Sequence, residues 1–483
     1  MERYSRMILS ALAAVSLAGP GTAQLLGGPV GGAVGGLTSG PLGGAVQGVS
    51  SGASDGGAAG GLQNTLNQLG NTGGLLGAPG NTLGAVPGSL TGLAGQGPGG
   101  GQFGPSSLDR VAIPYDSSIS PRVIADYRLA RLKALIDANR ATLDRDPSGQ
   151  PVRKRELIAT NPDPVSLTLA ARAGFRVIGD EQEGELGIRL VTLAIPKGMN
   201  VRDAMQLIRR AAPALQCDFN HVYEPSGGAL LPVAGVALAG SAPVRGPTRI
   251  AMIDGGIAAH PSLARANIEQ RGFAGDPQPT GHGTAVGSLL VGDQGQFRGA
   301  ARGAQLYVGD VYGGNPAAGS VTTIIRALSW AASKRPSVIN ISLVGPQNGP
   351  LAQAIASLRA RGIQIVAAVG NDGPAAPAQY PASYPGVISV TAVDARGRAI
   401  PEASPATHLD FAAPGADMLA AFPGKGYTVV RGTSFAAPLA AARLAFTGSY
   451  QRLALEARPG KGKVGRGIVC ADCRVDPKLV RAK

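Results

Sequence analysis

Two short segments set the first limit on how this chain can fold. VINISL (338–343) and IQIVAAV (363–369) place apolar residues at neighbouring positions, such as Val338 with Ile339 and Ile365 with Val366. A strand with one face in water would alternate instead, so both segments must be covered on two sides, as buried parallel strands are. Between them, 351–361 has apolar residues at helical spacing and stops at Gly362, where a left-handed residue is expected. The same alternation holds elsewhere: strands over 249–254 and 305–311, a helix over 321–334, a strand over 387–393, and a helix after Ser434. The pattern predicts the α/β class, with a doubly wound, mostly parallel sheet over 248–449. Sites in such sheets lie beyond the carboxyl ends of the strands.

The rest of the chain divides by composition. A length of 483 residues allows about three domains, but the N-terminal part has little with which to build a core. Residues 1–23 carry Arg3 and Arg6, an apolar run over 7–18, and Gly21-Thr22-Ala23. That is the layout of an export signal, too short in its apolar run to span a bilayer. Residues 24–105 are glycine-rich without a Gly-X-Y period, and Asp55 is their only charge. So little apolar area does not offset the entropy of ordering, and the segment reads as a disordered spacer or an envelope-associating stretch. Residues 106–226 become globular and predict a small α+β unit, a leading helix followed by the order α-β-β-α-β, with helices on one face. Its elements are a helix over 121–143, a second opened by Asp163-Pro164 and closed by Gly174, and strands over 175–178 and 188–195. A helix over 201–212 capped by Asn200 and a strand over 217–224 follow. His221, in that last strand, reads as a structural histidine. The small, Gly- and Pro-rich 227–247 reads as a linker.

The formal net charge is +14, with basic residues gathered in a tail over 450–483. No nucleic-acid recognition motif accompanies them, so nucleic acid is not an expected partner; electrostatic contact with an anionic envelope surface is the simpler expectation. Of the three cysteines, Cys470 and Cys473 form a C-x-x-C, and none of the four histidines lies in that tail. Zinc would need two more ligands. The pair is open between a local disulfide and two thiols, and neither a metal nor a cofactor is expected.

Four residues stand at strand ends or helix starts. Asp254 closes the strand in AMIDGGI. His282 lies between glycines in GHGTAVGS, Asn371 follows a strand in VAAVGNDG, and Ser434 precedes an apolar run in GTSFAAPL. Each has an ordinary reading. Asp254 and Asn371 suit turns, and Ser434 suits a helix cap, with Pro438 in the first turn. Taken together in one α/β domain they supply a nucleophile, a base, a group to orient the base and an amide for an oxyanion.

The segments MIDGGI, GHGTAVGS, INISLVGP, AAVGNDG and GTSFAAP resemble, in order, the motifs of the subtilisin-like serine proteases, over about 248–447. The resemblance implies a peptide-bond hydrolase in which Ser434 attacks and His282 carries the proton. Asp254 would orient the imidazole, and the Asn371 amide with the Ser434 N–H would hold the oxyanion. It further implies that Ser342, Leu343, Val344 and Gly345 pair with extended substrate, and that Ala367, Ala368 and Val369 form the opposite wall of the specificity pocket. By position and arrangement 106–226 resembles the family's prosegments, which chaperone and inhibit their own domain. The chain departs from the family at Gly255, where Thr or Ser is usual, and at Val344, where Gly is common. The expectation is an exported serine endopeptidase made as a zymogen, secreted, periplasmic or held at the envelope, and acting on polypeptides. The alternatives are a peptide-binding pseudoprotease and an envelope-associated structural protein.

Overall fold

The computed structural model describes residues 120–233, 248–424 and 426–477, and the backbone of a short antiparallel pair, Gly95–Gln96 with Gln102–Phe103. All lie within one unit, Gly57–Lys483. The signal at 1–23, most of the 24–105 spacer and 234–247 fall outside the described residues. Among the described residues no helix is long and apolar enough to cross a membrane.

The first folded region opens with α1 (Pro121–Ala138), capped by Ser120. Then come β1 (Leu143–Arg145), β2 (Pro151–Thr160), α2 (Pro164–Arg172), β3 (Arg176–Glu183), β4 (Ile188–Ala194), α3 (Val201–Ala211) and β5 (Cys217–His221). The sheet runs β1-β2-β4-β3, with β5 also on β2, and every pairing is antiparallel. Asp163 and Asn200 cap α2 and α3 through their side chains, as their sequence positions predict. The expected order omitted β1 and β2. In β2 the run Arg153–Glu156 hides the apolar pattern, and Arg155 adopts a left-handed φ of 66° where the pairing register shifts. This strand is nevertheless central. Leu157 and Ala159 pack with Met205 and Ile208 of α3, while Ile158 faces the helices of the following domain.

That domain holds seven parallel strands: β8 (Arg249–Asp254), β9 (Asn267–Gly272), β10 (Gln305–Asp310), β11 (Val338–Ile341), β13 (Gln364–Ala368), β14 (Ile388–Val393) and β15 (Phe411–Pro414). Their order is β9-β10-β8-β11-β13-β14-β15. Helices α4 (Gly281–Val291) and α7 (Thr433–Thr447) pack on one face, and α5 (Val321–Ser333) and α6 (Gly349–Ala360) on the other. The winding reverses at β8, with β10 on one side and β11 on the other, so the carboxyl end of β8 is the switch point where a site is expected.

Two sequence expectations need correction. Part of the 227–247 linker is a strand: β7 (Gly228–Val233) pairs with β17 (Gly426–Arg431), which pairs with β16 (Ala416–Phe422). Pro232 is tolerated because β7 is the edge of that sheet. The basic segment is no free tail either. Over 450–477 it adds α8 (Tyr450–Leu455) and returns to the sheet, with Leu453 and Val469 wholly buried. Cys470 and Cys473 are joined as a disulfide, which resolves the open choice for that pair.

Candidate active site

Asp254, the last residue of β8, is fully buried, and its Oδ1 accepts the Gly255 N–H at 2.7 Å. The same oxygen lies 2.8 Å from Nδ1 of His282, the second residue of α4. A carboxylate only accepts, so Nδ1 carries the proton and Nε2 is the basic nitrogen of the neutral ring. The glycine after the histidine has a steric cause: a Cβ on Gly283 would stand 2.3 Å from the Gly255 carbonyl oxygen, so only glycine lets α4 sit this close to the exit of β8. Thr280 caps α4 by accepting the Gly283 N–H at 2.9 Å. Its side chain also explains Gly255, since a Cβ there would meet Thr280 Oγ1 at 2.4 Å. A hydroxyl side chain at position 255 has no room, and among the described residues Asp254 Oδ2 is buried with no hydrogen-bond donor.

Ser434 is not a cap. The N-cap of α7 is Gly432, whose φ of 142° favours glycine and which has no side chain to cap with. Ser434 is the second helical residue, and its Oγ donates to the Ser342 carbonyl at 3.0 Å. Pro438 lies in the helix interior, not in the first turn. It deprives the Ser434 carbonyl of its helical donor, and the Ser342 hydroxyl donates there instead at 2.9 Å.

The Ser434 N–H, one of the donors a helix start leaves without a helical partner, points at the carbonyl oxygen of Ser226, 3.0 Å away. Asn371, in the turn after β13, accepts the Thr433 N–H on Oδ1 at 3.0 Å, which orients its amide. Nδ2 then donates to Ser226 Oγ at 3.1 Å. Both groups expected at an oxyanion therefore meet one residue of the upstream region, but Asn371 meets its side chain and Ser434 its carbonyl. Ser226 follows β6 (Glu224–Pro225), which pairs antiparallel with β12 (Leu343–Val344), matching Pro225 with Leu343 and Glu224 with Val344. The Ser226 N–H continues the ladder to Ser342 O at 3.1 Å. The strand expected to pair with substrate is thus occupied along Ser342 to Val344 by the chain itself. Gly345 departs from that expectation: its backbone pairs with Tyr380, through bonds of 2.9 and 3.0 Å. It serves the segment by lacking a side chain, because a Cβ would fall 2.7 Å from the Tyr223 ring. Ala367 and Ala368 lie in β13 and Val369 just beyond it, all buried in the two cores flanking the sheet.

Sequence reasoning missed two features here. Asp310 ends β10 directly beside Asp254 in the parallel register. Burial raises its carboxyl above the ordinary range against three backbone N–H donors, and Asp254 adds to the rise. Its place at a strand end before a glycine turn was the available signal. The second feature is a buried ion cluster. Arg131 of α1 bonds Asp372 and Glu224, each at 3.0 Å, and Arg128 bonds Asp372 at 3.0 Å. It ties α1 to the residue after Asn371 and to the strand in the cleft. His221 is buried, as a structural residue should be. The Asn348 amide lies 3.0 Å from its Nδ1, which makes Nε2 the donor to Asp146 at 3.2 Å.

A family model described as "Subtilase family" matches residues 246–456. Subtilisin Savinase of Lederbergia lenta is 35% identical over 200 residues, which cover 39% of this chain and 72% of that protein. The major intracellular serine protease of Bacillus subtilis (strain 168) is 31% identical over 232 residues, 45% of this chain and 73% of that one. The fold is shared with fervidolysin from Fervidobacterium pennivorans, a keratinolytic enzyme related to subtilisin, at 19% identity and a TM-score of 0.54. That match covers 71% of this chain and 63% of the other. The chain belongs to the subtilase family of serine-type endopeptidases.

Proposed function

We propose that this chain hydrolyses peptide bonds with Ser434 as nucleophile, His282 as general base and acid, and Asp254 holding the imidazole in the required tautomer. The observation that carries the reading is the carbonyl oxygen of Ser226 on the Ser434 N–H, in a strand paired along Ser342 to Val344. A peptide carbonyl so held has the donor at its oxygen that a tetrahedral intermediate needs, and the helix start adds a favourable dipole. The hydroxyl of Ser434 turns from Ser342 O to His282, gives up its proton and attacks. Asn371 shifts its amide from the side chain of Ser226 to the developing oxyanion.

The protein is made as a zymogen whose region 106–226 blocks the cleft and whose residues 1–23 direct export to the envelope or beyond. Polypeptides are its substrates. Replacing Ser434 by Ala tests the reading. Only the hydrogen bond to Ser342 is lost from the fold, about 1 kcal/mol, whereas turnover should drop by about six decades, the cost of disabling the triad in subtilisin. Peptide hydrolysis by purified Ser434→Ala at the wild-type rate would end the serine-protease reading.

A further inference from the structure

We propose that the Ser226–Gly227 peptide bond is the site at which this chain cuts itself. The inference rests on the serine-endopeptidase reading and names the bond which that chemistry meets first. The backbone enters the cleft as β6, antiparallel to β12, and the ladder ends where the Ser226 N–H reaches Ser342 O at 3.1 Å. The next carbonyl, that of Ser226, is on the Ser434 N–H at 3.0 Å. The next residue, Gly227, lies against the nucleophile itself: a Cβ there would stand 3.3 Å from Ser434 Cβ and 2.8 Å from the Phe435 ring. With φ at 148°, position 227 favours glycine twice over, by conformation and by space. The chain then leaves the cleft as β7, held along β17 from Gly228 onwards. The bond is thus clamped on both sides, by β12 before it and β17 after it, with the nucleophile beside it.

The side chains before the bond are seated as a substrate's would be. The Ser226 hydroxyl lies 3.1 Å from Thr433 Oγ1 and accepts from Asn371 Nδ2, two polar partners that a short hydroxyl side chain reaches. Three residues back, the Tyr223 ring is wholly buried over Gly345 and its hydroxyl donates to the Pro346 carbonyl. The bond therefore defines a substrate class: extended segments with a small residue at the cut, glycine after it, and an aromatic residue three positions before the cut residue.

The reaction balances without any added reagent except water. Ser434 Oγ bonds to the Ser226 carbonyl carbon as His282 Nε2 takes its proton. The intermediate then breaks at the carbon–nitrogen bond, and His282 returns the proton to the leaving Gly227 nitrogen. Water attacks the ester with His282 again as base, leaving a Ser226 carboxylate, a free Gly227 amine and Ser434 restored.

The test uses the full chain, wild type and Ser434→Ala. New amino termini are mapped by labelling and mass spectrometry, and hydrolysis of a reduced, alkylated serum albumin is measured alongside. The expected result is a Gly227 amino terminus and a Ser226 carboxyl terminus in wild type, at least a hundredfold rarer in Ser434→Ala. Albumin hydrolysis that depends on Ser434, with the 226–227 bond intact or the chain cut elsewhere, would overturn this proposal and leave the enzymatic reading standing. A Gly227 terminus equally abundant in Ser434→Ala would assign the cut to another protease and overturn it too. Neither cutting nor albumin hydrolysis would remove both.

Discussion

Ser342 and Ser434 are joined by two reciprocal hydrogen bonds. The Ser342 hydroxyl donates to the Ser434 carbonyl at 2.9 Å, and the Ser434 hydroxyl donates to the Ser342 carbonyl at 3.0 Å. The first bond is permanent in character, since Pro438 has no N–H to offer that carbonyl. In the proposed reaction the second must break before Ser434 attacks. The pair thus fixes the backbone of Ser434 while leaving its hydroxyl with a resting partner. Ser342→Ala should leave the buried Ser434 carbonyl without a donor and cost about 1–3 kcal/mol, read as a lower midpoint in urea.

Asn371→Ala should fold but lose about a hundred- to a thousand-fold in turnover, with substrate affinity little changed. That range is the one found on removing the equivalent donor from subtilisin. Steady-state kinetics on a peptide substrate check it, and unchanged turnover would mean that other groups hold the oxyanion.

At Gly255 the family's usual hydroxyl residue should harm this protein. Gly255→Ser would drive its Cβ into Thr280, the cap of the helix that carries His282, at 2.4 Å. Overpacking of this kind costs about 1–3 kcal/mol. Denaturant unfolding in a Ser434→Ala background measures it free of self-digestion; a neutral or stabilising change would show that Thr280 yields easily.

Arg131 is the test of the buried cluster. Burial alone would lower its pKa, but Asp372 and Glu224 outweigh that and raise it, so the guanidinium stays charged. Arg131→Met leaves Glu224 buried without this partner and weakens the hold on Asp372, a loss of about 3–5 kcal/mol for a broken buried pair. We expect a lower unfolding midpoint and easier proteolysis of residues 120–226.

Acid should loosen the same region through Asp146. Its burial opposes ionisation, yet hydrogen bonds from His221 and from the Gln150 and Ser148 N–H groups prevail and hold its carboxyl below the ordinary range. The folded state therefore favours the ionised form. The resulting stability is complete above about pH 4, the pKa of an unfolded aspartate, and is lost as pH falls through the lower native value. Unfolding midpoints measured from pH 6 downwards should fall less steeply in Asp146→Asn than in Ser434→Ala alone.

Much of the catalytic domain was legible because its signals are local. Asp254, His282, Asn371 and Ser434 each sit in a short motif at the end of a strand or the start of a helix, and strands such as Ile388–Val393 are buried at every position. What escaped reading was of two kinds. Elements on the surface or bearing charge, such as β2 and the exposed edge strand β9, lack an apolar pattern to find. Contacts between distant residues leave no mark at all: Arg131 lies 241 positions from Asp372 and 93 from Glu224. Pro438 misled in a third way. Its place in the apolar run suggested a first turn, whereas α7 begins at Thr433 and the proline's cost is met by Ser342.

The outward face of the upstream sheet has a further consequence. Ile158, Leu186, Ile188 and Leu190 share a core with Ile324, Leu328 and Leu358 of α5 and α6. Severing a single bond in the cleft wets none of these side chains, so a cut chain keeps its apolar seam closed. Scission and departure are then separate events on separate clocks. For the proposed cut, the first would be timed by chemistry at Ser434, and the second by how long two greasy surfaces stay together in water.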